Sequence, residues 1–228
     1  MSATFYEAGY EHHVEVIHQR DGEARRRLDS LEVTLYDEGG ALLGTPPVDP
    51  AQDVLDLAAL VRATTRTTER VMVVFDARYA ESIFPYRPHH YAYLHRAGSP
   101  AAPLYYAINA VLGGVPDRIG TTSINNFETY VFRRGPFAQR YSLLLGCLAR
   151  FVPAQAQVFA YYGSRRVVQE ITLEPKCHAE VPLAAEHEGE PLARVEMKSL
   201  FRLLSYVVGR RADTGDLVLF DHLFTYAK

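Results

Sequence analysis

The residues best suited to chemistry fall in one short stretch, 84–96 (FPYRPHHYAYLHR), which packs three histidines and three tyrosines into thirteen positions. Imidazole changes charge near neutral pH and ligates metals, while phenol combines an apolar ring with a polar tip. Read as a strand, residues 89–96 place His89, Tyr91, Tyr93 and His95 on one face. His90, Ala92, Leu94 and Arg96 take the other. His89 and His95 then stand roughly 20 Å apart at ~3.3 Å per residue, too far to share one ion. A metal would need one of them together with His12, His13, His18 or Asp76 from another strand. As an enzyme, the chain would use His89, His90 or His95 with Asp76, Arg78 or Tyr91 as acid, base and orienting groups. The plainer reading is a packed strand whose imidazoles only hydrogen-bond.

Asp221 and His222 form a second candidate. In the run 217–226 (LVLFDHLFTY), His222 shares a face with Val218, Phe220, Phe224 and Tyr226. Asp221 falls on the opposite, apolar face with Leu217, Leu219 and Leu223. A carboxylate there needs a partner, either an arginine such as Arg202 or a histidine of the neighbouring strand that it would orient. Arginine pairs at 133–134, 165–166 and 210–211 each lie close to a glycine and read as solvated hairpin tips. Cys177 and His178, as strand neighbours, would point to opposite faces and cannot share a proton.

The elements that must position these residues are mostly strands. Residues 31–36 (LEVTLY), 155–162 (QAQVFAYY) and 167–173 (VVQEITL) alternate with period two. The continuous apolar runs 71–75 (VMVVF) and 141–145 (YSLLL) read as strands covered on both faces. Gly39–Gly40 and Gly163–Ser164 supply hairpin turns. Helical signals are few. Asp49 as an N-cap with Pro50 at the first position opens a candidate helix over 51–61, or a strand leading into a short helical turn. Residues 191–208 form a second candidate of mixed periodicity.

Sliding the chain on itself by 125 residues sets Val33 on Val158, Tyr36 on Tyr161, and 48–50 (VDP) on 173–175 (LEP). A shift of 124 sets Arg70–Val71 on Arg194–Val195, and a shift of 132 sets His90 on His222. The expectation is an internal duplication: two tandem antiparallel β-sandwich modules, 1–115 and 116–228, in a mostly all-β chain with few short helices. On this alignment only the first copy carries His89, Tyr93 and His95, so function is expected there and scaffold in the second.

Bulk properties narrow the classes. The 228 residues are 48% hydrophobic and 22% charged, which suits a globular chain with a real core. A net charge of -3 with interspersed signs gives no basic face, so nucleic acid is not an expected partner. No apolar run reaches about 18 residues, and the first residues lack a basic, apolar or cleavage-site pattern. The chain is therefore expected in the cytoplasm, away from membranes, with Cys147 and Cys177 reduced and inert. GxSxG, P-loop, dinucleotide, HExxH and EF-hand patterns are missing, so neither a cofactor nor a metal is assigned.

The run 31–36, the DEGG turn at 37–40, 48–50 and 71–78 (VMVVFDAR) together resemble the sensory rhodopsin transducer family. That resemblance implies a β-sandwich, a binding or signalling role rather than catalysis, and assembly through the sheets. It carries no site residue. The functional expectation is a non-catalytic ligand-binding or assembly protein that forms a homo-oligomer, its partner a small molecule or a protein. The alternative is a small-molecule enzyme or metal binder using strand 89–96 between the modules.

Overall fold

Period-two alternation becomes strand after strand in the computed structural model, which describes residues 1–16, 20–21, 24–25, 28–66, 69–78, 90–110, 126–132 and 139–225. The chain divides into two compact units, Met1–Gly114 and Val115–Lys228. In the first unit the strands are β1 (Ser2–Tyr6), β2 (Glu11–Glu15), β3 (Arg20–Asp21), β4 (Ala24–Arg25), β5 (Ser30–Tyr36) and β6 (Leu42–Gly44). They continue with β7 (Val54–Asp56), helix α1 (Leu57–Thr64), β8 (Val71–Arg78), β9 (Tyr91–His95), β10 (Leu104–Ala107) and β11 (Asn109–Ala110). The second unit holds β12 (Asn126–Val131), β13 (Gln139–Gly146), β14 (Ala154–Tyr162), β15 (Arg165–Leu173) and β16 (His178–Leu183). It ends with β17 (Glu186–His187), β18 (Glu190–Ser199), β19 (Leu204–Arg211), β20 (Leu217–His222) and β21 (Phe224–Thr225).

Each unit is an all-antiparallel β-sandwich. The first pairs a sheet of order β11-β1-β8-β5-β6 with one of order β10-β9-β2-β7. The second pairs β21-β12-β18-β14-β15 with β20-β19-β13-β16. Leaving aside the two-residue strands β3, β4 and β17, the two lists are the same list in chain order.

The register repeats as well. Setting Val33 against Val158 carries Phe75 to Met197, because Val33 pairs with Phe75 and Val158 with Met197. Those partners in turn pair with Ser2 and Glu128, which face Ala110 and Thr225. The crossing from one sheet to the other is also matched. Ile108 donates its backbone N–H to the His90 carbonyl (2.8 Å), and Leu223 donates to the Ser205 carbonyl (3.3 Å). His90 therefore corresponds to Ser205, and the expected match of His90 with His222 is corrected: His222 corresponds to Ala107, since each pairs with the residue after (Tyr206, Tyr91). The β8–β18 correspondence likewise runs two residues off the shift of 124.

The second core gathers Leu143, Leu145 and Val207 from one sheet and Val158, Val195 and Met197 from the other. Burying such side chains contributes about 1.5–3 kcal/mol each relative to exposure, before the entropy of ordering them. In β5, Leu31, Val33 and Leu35 are buried while Glu32 is exposed, as the alternation requires. The run Val71–Phe75 is buried throughout, as its continuous apolar character predicts. The turn at 163–164 joins β14 to β15, with Gly163 at φ +57°.

Two helix expectations are corrected. The helix starts at Leu57, not Ala51, because residues 54–56 already pair with 13–15 of β2 and Asp56 is the N-cap. The Asp56 carboxylate accepts the Ala59 N–H at 3.0 Å, while Asp49 instead closes a turn by accepting the Ala51 N–H at 2.8 Å. The strand-into-helix alternative is the one realised. Residues 191–208 are not a helix: β18 is bonded to β12 on one side and β14 on the other, which satisfies its backbone groups.

Candidate functional site

Alternation along β2 splits its histidines. His12 and Val14 turn into the sandwich, whereas Glu11, His13 and Glu15 face outward. In β9, Ala92 and Leu94 turn in and Tyr91, Tyr93 and His95 face out. Direct pairing of Glu11 with His95, His13 with Tyr93 and Glu15 with Tyr91 brings the two outward rows together. Tyr93 lies between His13 and His95, with ring centroids 6.3 Å from each. His95 Nδ1 is 3.9 Å from the Glu11 carboxylate. The next strand adds Tyr105, stacked on Tyr91 at 5.5 Å with rings 2° from parallel. Its hydroxyl donates to Glu15 at 2.8 Å, and that bond holds the phenol up at about 12.

Beside this face lies a pocket of about 590 Å³, lined chiefly by Tyr6, Tyr10, Glu11, His13, Asp56 and Arg62. Four pieces of chain bring these groups together: the end of β1, the turn into β2, β2 itself, and the segment from the end of β7 through α1. The capping geometry of Asp56 fixes the helix start. Leu57, Ala58 and Val61 are buried, and Arg62 in the last turn is left exposed. Burial is the main force raising the Tyr6 phenol above its ordinary value; Arg62 opposes the rise and Asp56 adds to it. Tyr6 is therefore a protonated donor at neutral pH.

Behind the pocket, the core contains a polar relay. The Tyr106 hydroxyl is 2.7 Å from Thr4 Oγ1 in one sheet and 2.8 Å from His12 Nε2 in the other. Tyr6 stacks on His12 at 6.4 Å. His12 is fully enclosed, and burial, with a smaller push from His13, lowers its pKa to about 3. It is a neutral core residue at physiological pH.

The residues expected from sequence are thus partly brought together. Tyr91, Tyr93 and His95 share one face. His90 does not join them, being 1% exposed and packed 5.8 Å from Phe75 inside the sandwich. His89, His18 and Tyr226 lie outside the described residues, as do the arginines at 133–134. Asp76 and Arg78 pair with each other at 2.8 Å on β8, at a separate hollow with Ser30, Glu32 and Thr45. Asp221 accepts the His222 backbone N–H at 2.9 Å and lies 3.4 Å from His222 Nδ1, whose ring sits 4.7 Å from Phe224. Arg202, one of the two partners considered for Asp221, lies instead 3.6 Å from Glu128. Among the described residues, no group of three or more His, Cys, Asp or Glu is placed to hold a metal ion.

Sequence reasoning missed Tyr6, Tyr10, Glu11, Asp56, Arg62 and Tyr105. The alternation in 11–16 (EHHVEV) would have located β2, but the convergence of β1, β2 and α1 leaves no local trace. No family model, curated protein or solved structure matches the chain.

Proposed function

We propose that the chain is a non-catalytic binding protein built from two copies of one β-sandwich, and that its first unit takes a small polar ligand in the Tyr6–Arg62 pocket. The observation that carries this reading is the convergence there of a guanidinium, an imidazole, two phenols and two carboxylates around about 590 Å³. Ligand pockets commonly measure about 300–1,000 Å³ and use a few convergent polar groups for orientation. Arg62 offers a planar fork of donors to a carboxylate or phosphate. Tyr6 and Tyr10 supply hydroxyls and ring faces, and Asp56 and Glu11 supply acceptors for a hydroxyl or amine. The ligand class is accordingly a small anion that also carries hydroxyl or amino groups.

Binding rather than catalysis is favoured because the best-insulated histidine, His12, is turned away into the core relay with Tyr106. Duplication is supported by the repeated strand order and by the register that joins Val33 to Val158. The binding role is also the one implied by the sensory rhodopsin transducer resemblance. Two free cysteines suit the cytoplasm, the compartment proposed here, and no helix of the described residues is long and apolar enough to cross a membrane.

The test is a thermal-shift screen with glutamate, citrate and inorganic phosphate, followed by calorimetry on wild type and Arg62→Gln. At least one of these anions should raise the melting temperature and lose tenfold or more in affinity in the variant. Affinity unchanged in Arg62→Gln, or no binding at millimolar concentration, would overturn the pocket assignment.

A further inference from the structure

Eight large apolar side chains are exposed among the described residues, and six of them fall on two sheet faces. Val54, Tyr91 and Tyr105 stand on the outer face of the β10-β9-β2-β7 sheet in the first unit. Val131, Val168 and Phe224 stand on the outer face of the β21-β12-β18-β14-β15 sheet in the second. Scattered single apolar residues need no explanation, but their concentration on two faces marks interaction surfaces.

The two faces carry opposite charge. Around Tyr91 and Tyr105 the outward positions of the strands hold Glu11, Glu15 and Asp56 and neither lysine nor arginine. Around Val131 and Val168 they hold Arg166, Arg194 and Lys198, opposed by Glu170 and Glu196. Those cations lie on aromatic rings: Arg194 is 4.2 Å from the Tyr161 centroid, and Lys198 and Arg166 are 4.8 and 5.2 Å from Phe159. Stacking holds their alkyl stems flat, and Arg194 is also paired with Glu196 at 3.2 Å, an intrachain pair that Glu15 of a second copy would join. The two faces also differ in relief. The acidic one raises the stacked Tyr91–Tyr105 pair. The basic one has a hollow of about 410 Å³ lined by Phe127, Glu128, Thr129, Val131, Arg194, Glu196, Met197 and Lys198.

We propose that copies of this chain associate head to tail, the acidic tyrosine face of one first unit docking on the basic face of another copy's second unit. The Tyr91–Tyr105 pair fills the hollow, and Glu15 meets Arg194 and Lys198. Such an interface is heterologous: each copy keeps one face of each kind free, so assembly runs on into rings or filaments rather than stopping at a two-fold dimer. The charges steer and register the contact, so association weakens as salt rises. The proposal does not depend on ligand binding at Arg62, and the variants below leave the lining of that pocket intact.

Light scattering and sedimentation on the full chain, at low and high salt, supply the test with Glu15→Lys and Arg194→Glu. Wild type should exceed monomer mass with rising concentration at low salt and fall toward it at high salt. Each variant should be monomeric, with unchanged circular dichroism. Mixing the two should restore a 1:1 dimer, because one intact acidic face then meets one intact basic face. Three outcomes would overturn the proposal: a wild type that stays monomeric at high concentration and low salt, variants that keep the wild-type mass, or a mixture that stays monomeric.

Discussion

His12 Nε2 lies 2.8 Å from the hydroxyl of Tyr106, a residue 94 positions further along the chain. The same hydroxyl reaches Thr4 Oγ1 at 2.7 Å, so one phenol ties the two sheets of the first sandwich together. All three residues are buried. Tyr106→Phe keeps the ring and removes the oxygen, leaving His12 and Thr4 each without that partner in a place water does not reach. The expected loss is about 1–3 kcal/mol, read as a lower midpoint in chemical denaturation at neutral pH. A midpoint unchanged within error would mean that the relay carries no net stabilisation.

The same histidine makes the fold acid-sensitive. Its pKa is lowered in the folded state from the ordinary 6.5 to about 3, so the unfolded chain takes up the proton first as pH falls. Stability from this group is intact above the unfolded value and is lost progressively from about pH 6.5 down to about pH 3. The part lost between neutral pH and about pH 5 is about 2 kcal/mol. Measuring unfolding free energy against pH in wild type and His12→Gln checks this. The variant should show a shallower fall over that window, and an identical slope would remove His12 as the cause.

In the second unit a different cross-sheet contact joins Glu128 of β12 to Ser205 of β19. The serine hydroxyl donates to a carboxylate whose side chain is 0% exposed, and the Asn126 amide donates to its other oxygen at 3.1 Å. Burial raises the Glu128 pKa despite these donors and the nearby Arg202. Ser205→Ala withdraws one hydrogen-bond partner from a buried carboxyl group and is expected to cost about 1–3 kcal/mol. Ser142→Ala is the comparison, because its acceptor Glu180 is exposed and water can replace the hydroxyl. Equal losses in the two variants, by thermal or chemical denaturation, would contradict the burial argument.

How much of this was legible beforehand depends on how local the cause is. The alternation of Leu31, Val33 and Leu35, and the Gly163 turn, are properties of a few neighbouring residues and emerge intact as β5 and the β14–β15 hairpin. So does the shared outward face of Tyr91, Tyr93 and His95. Helix signals fared worse where sheet pairing competed for the same backbone. Residues 54–56 joined β2 and pushed the helix start to Leu57, and 191–208 became two strands because partners lay on both sides.

The histidines show the boundary most clearly. Composition and spacing singled out strand 89–96, and the sequence by itself determined that its odd-numbered side chains would share a face, because a strand can do nothing else. It could not determine that β2 would lie beside that strand, setting Glu11 against His95 and His13 against Tyr93. Nor could it tell His12, buried against Tyr106, from His13, facing outward at the rim of a pocket with Arg62. Those assignments depend on which strands pair and which face the second sheet covers. Both are decided by contacts between residues far apart in the chain, and only the tertiary structure contains them.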